Sequence, residues 1–65
     1  MTFSGSKVKH FRERLDLTQA DLAAKVKVTQ GFISDIEGNR KTPSTRKMFL
    51  IAQVLGVSLD DLSEK

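Results

Sequence analysis

Two short amphipathic helix patterns lie between Leu17 and Glu37, parted by a turn of about three residues, and each opens on a Thr–Gln pair, Thr18–Gln19 and Thr29–Gln30. Two helices joined so abruptly must cross at a steep angle. That constraint bears on the architecture more directly than composition does, because it sets the geometry of a third of the chain.

The remaining punctuation agrees with it. Thr18 can cap its helix with Asp21 three residues on in the box position, and Leu17 can staple onto Leu22. Thr29 repeats the cap, with Val28 set to meet Ile33 and Phe32 in the box position. Ser58 repeats it again, with Asp61 in the box and Val57 facing Leu62. A first helix is predicted to begin near Ser4 or Ser6, with Val8, Phe11 and Leu15 recurring at spacings of three and four; Lys7, Lys9, His10, Glu13 and Arg14 fall on its other side. A fourth is predicted from Ser44 to Leu55, preceded by Pro43 and ended by Gly56. Its core stripe is Met48, Ile51, Ala52 and Leu55. Phe49, Leu50 and Val54 are left on other faces, either to cover the first helix or to meet a partner. No strand-like alternation is present, so the expected class is all-α: a compact five-helix bundle.

Sixty-five residues make one domain, 1–65, which buries only about 60% of its unfolded surface and has a thin stability margin. Cysteine is absent, which excludes disulfides and thiolate metal sites and suits a reducing cytoplasm. The single His10 has no partner ligand in sequence, so neither metal nor other cofactor is expected. No apolar run approaches the roughly 20 residues of a membrane helix, and the first seven residues do not resemble a secretory signal. A cytoplasmic protein without membrane contact is the expectation.

The net charge is only +3, but it is unevenly spread: Arg40, Lys41, Arg46 and Lys47 occupy 38–47 without an acid, whereas Asp60, Asp61 and Glu64 dominate 57–65. A basic middle suits a polyanion. With it, the abrupt helix pair at about 18–37 reads as a helix-turn-helix, the unit that sets its second helix in the DNA major groove.

From Val8 to Leu62 the chain resembles the Cro/Xre-type helix-turn-helix family, which includes the lambdoid phage repressors. The resemblance rests on Leu17-Thr18-Gln19-Ala20-Asp21-Leu22-Ala23, Thr29-Gln30, Ile33-Ser34-Asp35-Ile36-Glu37, Pro43-Ser44 and Leu55-Gly56-Val57-Ser58, in order and at the family's intervals. It implies five packed helices of the lambda-repressor-like type, the second and third forming the DNA-reading unit.

The resemblance also assigns roles. Gln19 matches a phosphate-clamping glutamine at a helix N-terminus, where free amides and the dipole favour an anion. Gln30 opens the recognition helix and can bond adenine N6 and N7; Gly31 and Ser34 share its exposed face. Thr29 is both a cap and a phosphate-contact candidate. Asp35 departs from the basic or amide residue usual there: it is either an acceptor for cytosine N4 or a surface acid turned aside. Lys27 stands where the family has a turn glycine, at a strain of about 1 kcal/mol and with a cation gained beside the DNA. Thr45 replaces an apolar residue, implying looser packing. Asn39, Arg40 and Lys41 in the loop after the recognition helix are further phosphate-contact candidates. Arg12 and Glu37 match the family's ion pair between the first and third helices.

The function so implied is that of a double-stranded-DNA-binding transcriptional regulator, most simply a repressor that occupies an inverted-repeat operator as a homodimer. The alternative is an antitoxin-type or other protein-interaction module on the same fold, for which Phe49, Leu50 and Val54 are the only hint. An enzyme is not expected, since no second ionisable group is placed to work with His10 and no phosphate loop is present.

Overall fold

Among the described residues, each of the four α-helices starts where a hydroxyl side chain accepts a hydrogen bond from an orphan amide. The computed structural model describes residues 2–64. Ser4 Oγ accepts from the Lys7 amide (3.3 Å) ahead of α1, Gly5–Arg14. Thr18 Oγ1 accepts from the Asp21 amide (3.0 Å), and Asp21 returns the bond to the Thr18 amide (3.0 Å), opening α2, Gln19–Val26. Thr29 Oγ1 accepts from the Phe32 amide (3.1 Å) ahead of α3, Gln30–Glu37. Ser44 Oγ does the same for the Lys47 amide (3.3 Å) ahead of α4, Thr45–Leu55. Each cap contributes about 1 kcal/mol.

The helix ends follow equally local rules. Lys27 ends α2 in the left-handed region at φ 61°, and Gly56 ends α4 there at φ 72°. Glycine adopts that conformation without penalty; lysine does so at a cost of about 1 kcal/mol. The Lys47 ammonium donates to the Val26 carbonyl (3.3 Å), placing a cation at the negative end of α2.

The fifth helix of the sequence expectation does not form. The Ser58 box does close, with Ser58 N to Asp61 Oδ2 at 3.0 Å and Asp61 N to Ser58 Oγ at 3.2 Å. It starts only a single 3-10 turn, Asp60–Leu62. The backbone then turns extended at Ser63, φ −116° and ψ 151°. Two short strands, β1 (Thr2–Phe3) and β2 (Ser63–Glu64), pair antiparallel, with Thr2 opposite Glu64 and Phe3 opposite Ser63. The Ser4 amide donates to the Leu62 carbonyl (2.7 Å), and Ser4 Oγ to Glu64 Oε1 (3.0 Å). Pairing with the N-terminal segment supplies hydrogen bonds that a continuing helix would otherwise have had to make internally. The described residues therefore form four α-helices clasped by a two-stranded ribbon, not a five-helix bundle.

The core lies between the helices: Val8 of α1, Leu22, Ala23 and Val26 of α2, Ile33 and Ile36 of α3, Ile51, Ala52 and Leu55 of α4, closed by Leu62. Leu15 was expected in the first helix's core stripe but follows its end and is 49% exposed. Arg12, one turn after Val8, takes the buried place instead. Leu50 and Val54 pack against the core, whereas Phe49 is 58% exposed.

Candidate nucleic-acid interface

The α2–α3 pair is held from behind by a charged network. Arg12 Nε lies 2.7 Å from Glu37 Oε2, and Arg12 Nη2 lies 3.2 Å from Glu37 Oε1. The same guanidinium donates through Nη1 to the Leu17 carbonyl (2.6 Å). Both side chains are nearly buried, at 9% and 4% exposure. The Glu37 hydrogen bond raises the Arg12 pKa against the opposing effect of burial. One ion pair thus ties α1, the α1–α2 loop and the last residue of α3 together.

Gln19, the first residue of α2, joins this network. Its Nε2 donates to Glu37 Oε1 (3.0 Å). The bond leaves the carbonyl end and the second N–H of the amide for an outside partner.

On α3, Gln30 and Gly31 are exposed, while Ser34 and Asp35 are half-buried. A Cβ added at Gly31 would meet only Thr29 Oγ1, at 4.0 Å. Nothing in the fold therefore requires a glycine there. Lys27 and Thr29, immediately before α3, are exposed as well.

The loop after α3 folds back onto it. The Arg40 and Lys41 amides donate to the Asp35 carbonyl at 2.8 and 3.3 Å. Arg40 Nε lies 3.0 Å from Asp35 Oδ1, and Lys41 Nζ 3.5 Å from Asp35 Oδ2. Arg40 Nη2 further donates to the Ser34 carbonyl (3.1 Å) and to Ser34 Oγ (3.3 Å). Lys41 also stands over the Phe32 ring, 5.9 Å from its centroid. The Arg40 hydrogen bond holds the Asp35 carboxyl below its ordinary pKa, with Lys41 adding to the effect. Asp35 and the two loop cations, read separately in the sequence, are one cluster.

Asn39 takes the left-handed region at φ 57°, and its Oδ1 accepts from the Gly5 amide (3.1 Å). That bond uses the carbonyl end of the side-chain amide and leaves its Nδ2 hydrogens for an outside partner. Beside it, α1 begins against α3 so closely that a Cβ on Gly5 would overlap the Ile36 carbonyl. Sequence reasoning missed Gly5, the Asn39 bond and the Lys47 cap. Each depends on residues at least 21 positions apart, and no local pattern announces them.

Comparison with known proteins agrees with this geometry. The helix-turn-helix family model HTH_3 matches residues 8–62. An uncharacterised helix-turn-helix transcriptional regulator of Methanocaldococcus jannaschii is 39% identical over 57 residues, 88% of this chain and 86% of that protein. The structure of the biofilm master regulator SinR in complex with DNA superposes with a TM-score of 0.83 at 30% identity, over 89% of this chain and 94% of that one. The P22 c2 repressor in complex with a synthetic operator gives a TM-score of 0.90 at 25% identity, over 98% and 97%. Other relatives are longer: the chain spans 38% of the immunity repressor of Bacillus phage phi105 and 62% of ClgR from Corynebacterium glutamicum.

The chain belongs to the helix-turn-helix family of Cro/Xre-type regulators. It is a sequence-specific DNA-binding transcriptional regulator.

Proposed function

We propose that the chain acts as a repressor, binding an inverted-repeat operator as a homodimer, with α3 of each copy in a major groove. The observation that carries this reading is the exposed start of α3. Gln30 and Gly31 are free of the core, preceded in the chain by Lys27 and Thr29 and followed by Asn39, Arg40 and Lys41. Gln30, Gly31, Ser34 and Asp35 form the base-facing set; Gln19, Lys27, Thr29, Asn39, Arg40 and Lys41 form the phosphate-facing set. Occupying the operator blocks polymerase, with no chemistry done on the DNA. Known relatives support the reading: SinR and the P22 c2 repressor are both described in complex with DNA.

Selection of bound duplexes from a random library at near-physiological salt tests it. The expected product is an inverted repeat with half-sites about 34 Å apart, one helical turn. Binding that enriches no sequence and vanishes as salt rises would refute it.

Phe49 supports a second, protein-binding role. It is the one residue of the three spare apolar positions that stands largely in solvent, at 58% exposure. SinR is also described in a complex with SinI. Co-purification with a partner that Phe49→Ala abolishes is the expected sign; a partner-free preparation, unchanged by the substitution, refutes this role.

A further inference from the structure

The placement of Asp35 poses a problem for a DNA-binding helix. It lies four residues after Gly31 on the same face of α3, so a carboxylate stands within the surface assigned to the groove. In this structure it is not bare. Arg40 Nε holds one oxygen at 3.0 Å and Lys41 Nζ the other at 3.5 Å, while Arg40 is steadied further by Ser34. All three charged side chains retain solvent access, at 60%, 58% and 31% exposure for Arg40, Lys41 and Asp35. Exposed pairs of this kind are weak and exchangeable.

The same two cations belong to the phosphate-facing set, and they cannot fully serve a carboxylate and a phosphate together. When phosphates take them, Asp35 is left unpaired beside a polyanion. Only a donor on a base edge can then replace them. In the major groove, cytosine N4 has a carbon-bound hydrogen on one side and the acceptor O6 of its guanine on the other, whereas adenine N6 lies between two acceptors, N7 and the O4 of its pair. A carboxylate with two acceptor oxygens meets one repelling flank at the first and two at the second, so cytosine is preferred.

We propose that Asp35 is a specificity-determining residue that works by exchange. It holds Arg40 and Lys41 in the free protein and on random DNA, and releases them to phosphates only where a cytosine amino group takes their place. This inference rests on the DNA-reading function above and adds to it a preferred base and a restraint on sequence-independent binding.

The experiment compares wild type with Asp35→Ala on the selected operator, on the same duplex with single base-pair changes, and on a random duplex, across a series of salt concentrations. Wild type is expected to lose about tenfold in affinity when one cytosine per half-site is replaced, and Asp35→Ala to lose nothing at that position. On the random duplex the variant should bind several-fold tighter, with the salt slope steeper by about 0.9 for each cation released. Asp60→Ala makes the same change in net charge at the far end of the chain and should leave both readouts at wild-type values. Combining Arg40→Ala and Lys41→Ala should abolish the gain on random DNA. The inference is overturned if Asp60→Ala reproduces the gain, if the gain survives without the two cations, or if the base profile of Asp35→Ala matches wild type. A wild type that enriches no sequence at all overturns the functional reading itself; a wild type that reads an operator unchanged by Asp35→Ala overturns only the exchange.

Discussion

Truncating Glu37 tests the network behind the recognition helix. Glu37→Ala removes the acceptor for Arg12 Nε, Arg12 Nη2 and Gln19 Nε2 together. Arg12 then keeps a single bond, to the Leu17 carbonyl, with its side chain 9% exposed. A buried charge left this way costs about 3–5 kcal/mol. A domain of this length has a total stability of roughly 3–10 kcal/mol, so the variant should be close to unfolding. The matching fall in Tm is on the order of 12–40 °C. Removing both charges, with Arg12→Met and Glu37→Leu, should recover most of the loss, because a buried pair replaced by apolar side chains is often neutral or stabilising. Urea unfolding followed by far-UV circular dichroism measures all three chains. A cost below about 1 kcal/mol for Glu37→Ala would mean the pair behaves like an exposed one. A double variant no better than the single one would place the cost in lost packing, not in uncompensated charge. The double variant has a functional side as well: Gln19 loses its anchor, so operator affinity should fall while base preference stays fixed.

Two glycine-to-alanine changes should behave oppositely. Gly5→Ala must push α1 off the Ile36 carbonyl and should cost about 1–3 kcal/mol by thermal melting. Gly31→Ala meets open space and should stabilise by about 0.5–1 kcal/mol, while weakening operator binding if backbone approach to the bases is what a glycine permits there. Gln30→Ala should cost about 1–3 kcal/mol at the operator and relax preference at one base position, read by repeating the selection. On acid titration, the Thr18 amide and hydroxyl hold the Asp21 carboxyl below its ordinary value of 3.8. A depressed pKa stabilises the fold fully above that value, and the contribution is lost as pH falls below it. Asp21→Asn should therefore flatten the stability profile under acid, and an unchanged profile would show that the capping carboxylate contributes nothing.

What was legible in the sequence is what is local. The caps at Thr18 and Thr29 form between residues three apart, and so does the Ser58–Asp61 box. Sequence spacing reports such contacts directly. The same box shows where locality stops. Ser58 begins a turn as its chemistry demands, but how far a helix extends beyond its cap depends on what the following residues can pair with. Here that partner is Thr2–Phe3, at the opposite end of the chain, and two-residue strands leave no periodicity to read. Leu15 failed for a related reason. Its spacing from Phe11 fits a helix stripe, but the helix had already ended at Arg14, and Arg12 occupied the core because Glu37 was there to receive it.

The interface divides along the same line. Which residues of α3 face outward follows from helical geometry, so Gln30 and Gly31 could be assigned from position alone. What those positions do once folded is set by the loop that returns on them. In sequence Asp35 reads as either a cytosine acceptor or a surface acid turned aside, because Arg40 and Lys41 lie five and six residues on, past the end of the helix, where no periodic rule applies. Folding brings the loop amides onto the Asp35 carbonyl and, with them, both cations onto its carboxylate. One backbone turn therefore decides whether this face of α3 carries an uncompensated negative charge or a paired one. The Gly38–Asn39 turn makes that return possible: Asn39 adopts the left-handed conformation, and its side chain is fixed by the start of α1. Replacing Asn39 would disturb both the α1 anchor and the charge balance on α3, although it touches neither Asp35 nor its cations.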